Sequence, residues 1–304
     1  LRKLHWCARI LRREKLRRVI GLRKKPKTPE ELVEWLRHLY AYKYASTFAH
    51  GKIVLDIGCG TGYGVNELSA VAYFIIGIDI WREGIIYCHS RYDNRASFIR
   101  ASALSLPFRE NVFNLVTSFQ VIEHIDAKMV DQYLEEVKRV LKDDGTFIVS
   151  TPNRKLRLLP FQKPWNPEHR KEYDARELRR MLERVFPEVR MLGLSAKKVA
   201  YLVEYNRVRQ NPFYVYLIHP VVSLMKRILP NFTSFKRLYA RFSLKENILY
   251  KTWHSEMNSY NIALEDFHIS SRDLNACLDL YGLCKKENAL NQGVCWRWKN
   301  PPKA

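Results

Sequence analysis

Two acids and a run of alternate glycines carry the most legible chemistry in this sequence. Asp56 precedes Gly58, Gly60, Gly62 and Gly64, and Asp79 stands 17 residues after Gly62. Glycines at that spacing let a ligand come up against the backbone of a tight turn. A carboxylate such as Asp79, at the end of a second strand, can accept hydrogen bonds from two ribose hydroxyls. Together they suit a dinucleotide or an adenosyl ligand. The dinucleotide fingerprint G-x-G-x-x-G fails at its third glycine, where Tyr63 stands, and the phosphate loop G-x-x-x-x-G-K-[ST] occurs nowhere in the chain. Glu123 and His124 place an acid and an imidazole where a general base is useful. His169 and Tyr173, and further on His254 and Glu256, are other candidates to reach an acceptor. The six cysteines include no C-x-x-C pair. Neither a disulfide framework nor a metal centre is expected, and a reducing, cytoplasmic setting is favoured. Cys59 reads as a small filler of the turn rather than a nucleophile.

The elements that must hold these groups follow from the apolar pattern. Residues 53–57, IVLDI, read as a strand buried on both faces, as in a parallel sheet covered by helices. Residues 72–80 read as a second buried strand, with a short helix over 65–71 between the two. Upstream, Thr28, Pro29, Glu30 and Glu31 supply the cap, the first-position proline and the acidic first turn of a helix reaching about residue 48. Leu32, Trp35, Leu36, Leu39, Tyr40 and Tyr44 are its expected buried face. Strands over 97–100 and 113–119 follow, with Leu106, Pro107 and Phe108 as an apolar clip between them. A helix over 126–141, a turn at Gly145 and a strand over 146–153 come next. Asp174 with Glu177 predicts a capping box on a helix through residue 185, and the charges at Arg170, Lys171 and Glu172 are expected in solvent. Residues 274–287 read as a final antiparallel strand.

Charge is unevenly placed. The net of +21 concentrates in residues 1–28, at +11, and residues 195–250, at +8, while the rest is near neutral. Such basic appendages suit an anionic membrane surface, a phosphate-bearing substrate or nucleic acid. The first has apolar residues at roughly helical spacing, as in a basic amphipathic helix, and lacks the apolar run of a signal peptide. Residues 213–230 contain an apolar stretch interrupted by His219 and Pro220, too short for the roughly 20 residues a bilayer requires. Shallow membrane contact and burial as a lid are both open.

The ordered segments VLDIGCGTGYG, GIDI, LPFRENVFNLVTSFQVIEH and VKRVLKDDGTFIVSTPN resemble the class I S-adenosylmethionine-dependent methyltransferases, most closely the type 11 branch. The likeness covers residues 38–185. It implies an α/β fold: a Rossmann-like, doubly wound, mostly parallel seven-stranded sheet with a helical lid insertion. The domain would take residues 29–195 and 266–287, the lid 196–265, the basic appendage 1–28 and the tail 288–304. The resemblance also implies S-adenosyl-L-methionine as cofactor. Asp56, Gly58, Cys59, Gly60 and Gly62 would hold its methionine part, Asp79 its ribose and Ile80 its adenine. Ser102 and Ala103 stand where the family has aspartate and alanine near the adenine amino group. Gln120 and Val121 would line the opposite wall. The family's H-x-x-R-Y-x-F-A helix has Ala41 in place of arginine here, with Tyr42 and Lys43 as substitutes; losing one charge-assisted hydrogen bond costs roughly 1.5–3 kcal/mol.

The expected activity is methyl transfer, with His124 or His169 as catalytic candidates. The expected acceptor is a hydroxyl on a small molecule, a sugar or a lipid-linked glycan, with peripheral contact to an anionic membrane. An RNA methyltransferase is the alternative that the charge favours, although no base-methylation motif stands at residues 118–121. A non-catalytic scaffold is the other, which Ala41 and Ser102 allow.

Overall fold

The computed structural model describes residues 26, 28–92, 96–164, 166–208, 216 and 261–287. The basic segment up to residue 25, most of the insertion with His219, His254 and Glu256, and the tail from residue 288 lie outside the described residues.

Eight strands form one sheet: β1 (Ile53–Ile57), β2 (Phe74–Asp79), β3 (Ser97–Arg100), β4 (Phe113–Phe119), β5 (Leu141–Pro152), β6 (Glu188–Ala196), β7 (Phe267–Ser270) and β8 (Asp279–Lys285). Their order is β3-β2-β1-β4-β5-β8-β6-β7. The first five run parallel, and β8, β6 and β7 add antiparallel pairs. The expected seven strands are therefore joined by an eighth, β7, whose four residues cover the edge of β6.

The helices are α1 (Pro29–Ala49), α2 (Tyr63–Ser69), α3 (Arg82–Arg91), α4 (Val130–Val140), α5 (Arg154–Arg157), α6 (Ala175–Glu183) and α7 (Lys198–Val208). The sheet is buried on both faces. Val54 belongs to one buried cluster with Val33, Leu36, Val65, Leu68 and Val203, while its neighbour Leu55 belongs to another with Leu134, Val137, Leu178 and Leu182. Successive strand residues thus feed two cores, as the unbroken apolar run of β1 predicts.

Local signals hold in detail. Thr28 Oγ1 accepts from the Glu31 amide at 3.2 Å, and Asp174 and Glu177 close a reciprocal capping box on α6. Other expectations shift. The deepest face of α1 is Val33, Leu36, Arg37, Ala41, Tyr42, Tyr44 and Ala45, while Leu32, Trp35, Leu39 and Tyr40 are half-buried. Gly145 lies within β5 rather than in a turn before it.

A cofactor turn joined to a polar cavity

The glycine turn leaves β1 and is laced to β2: the amides of Gly58 and Cys59 donate to the Ile78 carbonyl at 2.8 and 3.0 Å. Gly58 and Gly60 adopt φ of +79° and +54°, which disfavours L side chains. A Cβ on Gly58 would come within 2.3 Å of Val121, whereas one on Gly60 would meet nothing within 4 Å. That open space above the backbone is where a ligand can approach. Beside it, Asp79 accepts from the Gly60 amide at 2.9 Å and the Trp81 amide at 2.8 Å. A carboxylate offers about four lone-pair sites, so two remain for ligand hydroxyls. Ile80, next in the chain, is 69% exposed and presents an apolar surface suited to a base. The Ala101 amide donates to the Asp79 carbonyl, bringing Ser102 and Ala103 to the same sheet end. Ser102 Oγ accepts from the Leu104 amide, so part of its capacity is spent locally.

Asp56 does not face this space. It is fully buried beneath the turn, where Tyr42 donates to it at 3.1 Å and Thr117 at 2.7 Å. Burial pushes its pKa up to about 7, with those two hydrogen bonds pulling the other way. Asp56 therefore positions Tyr42 and ties β1 to β4 through Thr117. The Tyr42 ring fills the space that a side chain at position 64 would need: a Cβ on Gly64 would sit 1.9 Å from it. Gly62 is likewise closed off by Cys88 and Phe98. Cys59 is buried, and contact with Cys88, reinforced by burial, pushes its thiol far up, in keeping with a filler.

A cavity of about 320 Å³ opens from Gly58, Cys59, Gly60 and Tyr42 past Gln120 to Glu123, His124 and His169. Gln120, at the end of β4, has φ +58°, a strained conformation of the kind concentrated at functional sites. Its amide nitrogen Nε2 donates to Asp279 at 3.3 Å. Arg37 also lines the cavity and ion-pairs with Asp279 and Glu204. Glu204, from α7 at the start of the insertion, meets Arg207 at 2.7 Å and Arg157 at 3.9 Å. Burial opposes its charge, but the Arg37, Arg207 and Arg157 guanidiniums hold its pKa down at about 2.

At the far end, Glu123 is fully buried, and burial drives its pKa up to about 8. Its Oε2 accepts from Thr151 at 3.0 Å, while Oε1 has no hydrogen-bond partner among the described residues. Its carbonyl accepts from the amides of Arg170 and Lys171, so the residue also organises that loop. His124 Nδ1 lies 3.1 Å from the Glu168 carbonyl, and His169 Nδ1 lies 2.7 Å from Glu172. The two rings meet edge to face at 4.9 Å. Partial desolvation and then the His169 ring lower the His124 pKa. Glu172, expected in solvent, is 2% exposed and bound by Arg157. Tyr173 is fully buried and does not line the cavity.

The fold thus brings together Tyr42, Gly58, Cys59, Gly60, Gln120, His124 and His169 around one cavity. Asp79, Ile80, Ser102 and Ala103 lie at the adjoining strand ends. Asp56 and Gly62 support the turn from below, and Val121 packs on Gly58. Lys43 pairs with Glu67 at the surface and does not replace the arginine missing at Ala41. Arg37, one helical turn before Ala41, is the cationic residue of α1 that lines the cavity; Glu204, Asp279 and Arg157 are the other groups that sequence reasoning missed.

A sheet of this order, with a glycine turn after β1 and an acid at the end of β2, is a Rossmann-like α/β fold. Residues 55–149 match the family model described as a methyltransferase domain, of the type 11 branch. A probable S-adenosylmethionine-dependent methyltransferase from Mycolicibacterium smegmatis is 35% identical over 163 residues, covering 54% of this chain and 62% of that protein. A fatty-acid O-methyltransferase from the same organism is 31% identical over 122 residues, covering 39% of this chain and 44% of that one. The chain thus spans less than two thirds of the length of either relative. The crystal structure of the PH0226 protein from Pyrococcus horikoshii OT3 overlays at a TM-score of 0.46 with 22% identity, covering 58% of this chain and 92% of that one. The residues present fit the family's cofactor: an open cradle at Gly60, a carboxylate with spare acceptor capacity at Asp79 and an exposed apolar surface at Ile80.

Proposed function

We propose that this chain is an S-adenosylmethionine-dependent methyltransferase acting on a hydroxyl oxygen of a small molecule, a sugar or a lipid-linked glycan. The observation that carries the reading is one cavity running from the glycine turn to an acid–imidazole cluster. When bound, S-adenosylmethionine supplies a methyl group already activated on a sulfonium, whose departure leaves a neutral thioether. Gly60 lines that end of the cavity, with Asp79 bound to its amide, and Tyr42 and Gln120 form the walls. The residues beyond them must align the acceptor behind the methyl group and exclude water.

An oxygen acceptor also has to lose a proton, and the cluster of Glu123, His124 and His169 is placed to promote that loss. The relative named as a fatty-acid O-methyltransferase supports oxygen as the accepting atom. Contact with an anionic membrane through the basic segments, in the cytoplasm, belongs to the same proposal. No helix among the described residues is long and apolar enough to cross a membrane.

The test is mass spectrometry of lysate fractions incubated with the purified chain and methyl-labelled cofactor. Labelled methyl ethers in the small-molecule, glycan or lipid fractions are expected. Label confined to RNA or protein contradicts the acceptor class, and no label in any fraction contradicts the activity.

A further inference from the structure

The fold gathers metal-ligating groups that no spacing in the sequence announces. Glu123, His124 and His169 each offer one ligand atom, and all three atoms lie within 4.8 Å of one another. The first two come from the turn after β4, and His169 from the loop before α6. We propose that this cluster binds a divalent first-row transition-metal ion, with its open coordination positions facing the cavity.

Glu123 supplies the first argument. It is fully buried, lines the cavity, and leaves Oε1 without a partner among the described residues. A buried acceptor left unpaired costs its full desolvation penalty, which a cation there would remove. The imidazoles supply the second. Nδ1 of His124 faces the Glu168 carbonyl, and Nδ1 of His169 faces the Glu172 carboxylate. Both acceptors fix the proton on Nδ1 and leave the lone pair on Nε2. An oxygen acceptor behind the ring is the arrangement that orients metal-bound histidines. Glu172 is itself fixed, because Arg157 holds both of its oxygens at 3.2–3.3 Å.

Donor chemistry then selects the ion. Two imidazoles and a carboxylate favour Zn²⁺, Co²⁺ or Mn²⁺ over Mg²⁺ or Ca²⁺, and three protein ligands leave positions open. Ligand atoms about 2.1 Å from a tetrahedral ion lie roughly 3.4 Å apart. The observed cluster, with its atoms within 4.8 Å of one another, has to tighten towards that size on binding. The role of the ion rests on the methyl-transfer reading. A hydroxyl bound to it loses its proton to water more easily; its oxygen then forms the bond to carbon as the carbon–sulfur bond breaks, with the electron pair left on sulfur.

Binding itself is tested apart from that reading, on the chelator-treated full chain without cofactor or acceptor. Calorimetry with Zn²⁺, Mn²⁺ and Mg²⁺ and the visible spectrum with Co²⁺ are the readouts. One equivalent of Zn²⁺ or Co²⁺ is expected, with no thiolate-to-cobalt charge-transfer band, which separates this site from Cys59 and Cys88. E123Q and H169A should each weaken binding tenfold or more, with the circular dichroism spectrum unchanged. Should H169A not fold, E123Q, which keeps the side-chain volume and an acceptor for Thr151, decides alone. Absence of saturable Zn²⁺, Co²⁺ or Mn²⁺ binding overturns the proposal, as does binding of Mg²⁺ alone, a thiolate band, or equal affinity in the variants. Failure of methyl transfer leaves these readouts untouched.

Discussion

Arg37 and Asp279, 242 positions apart in the chain, meet in a two-point ion pair: Nε donates to Oδ2 at 2.9 Å, and Nη2 pairs with Oδ1. The pair ties the first helix, α1, to the last strand, β8, at the wall of the cavity. Glu204 of α7 shares the same guanidinium, so three distant segments converge on one buried charge.

Arg37→Met should therefore be costly. It leaves Asp279 buried without its counter-charge and removes one of the cations that hold Glu204 ionised. Breaking a buried pair from one side costs about 3–5 kcal/mol, readable as a lower urea midpoint. A loss within measurement error would show that the network contributes nothing to stability.

Asp56 makes a prediction about pH. Its folded pKa, near 7, lies above the unfolded value of 3.8 because the carboxyl is buried. The folded state thus holds the proton more tightly, and this stability is fully present below about pH 4. It falls as pH rises towards 7, by roughly 4 kcal/mol at most. Urea denaturation of wild type and Asp56→Asn at several pH values should show a shallower fall in the variant; parallel curves would contradict the assignment.

The two neighbouring glycines should fail in different ways. Gly64→Ala drives a methyl group into the Tyr42 ring, and overpacking of that kind costs about 1–3 kcal/mol. Gly60→Ala meets no protein atom, but strains a φ of +54° and enters the ligand's space. Melting temperature should drop further for Gly64→Ala, and cofactor affinity further for Gly60→Ala. The reverse ranking would place the cofactor elsewhere.

Much of the fold was legible because its signals are local. β1 announces itself by unbroken apolar residues, α6 by Asp174 and Glu177, and the glycine turn by spacing. Asp79 was readable because it ends a strand at a fixed distance from that turn. The polar wall was not legible. Arg37, Arg157, Glu172, Glu204 and Asp279 each look like an ordinary solvated charge, and their burial comes from tertiary convergence of segments far apart in the chain. The family pattern directed attention to Ala41, while the buried cation of α1 lies one turn earlier. β6 and β7 were not placed, because they flank the insertion and are joined to the sheet by pairing with β8 and with each other, out of chain order.

Asp79 bears the sharpest claim, that the glycine turn and the acid at the end of β2 form one cofactor site. Calorimetric titration of the wild-type chain and of Asp79→Asn with S-adenosylmethionine tests it most directly. The Gly60 and Trp81 amides donate to different oxygens of Asp79, so asparagine keeps an acceptor for only one of them. It also loses the charge that strengthens bonds to ribose hydroxyls, worth roughly 1.5–3 kcal/mol each. The account predicts one saturable site in the wild type and binding at least tenfold weaker in Asp79→Asn. No binding by the wild-type chain, or equal affinity in the two proteins, would contradict it.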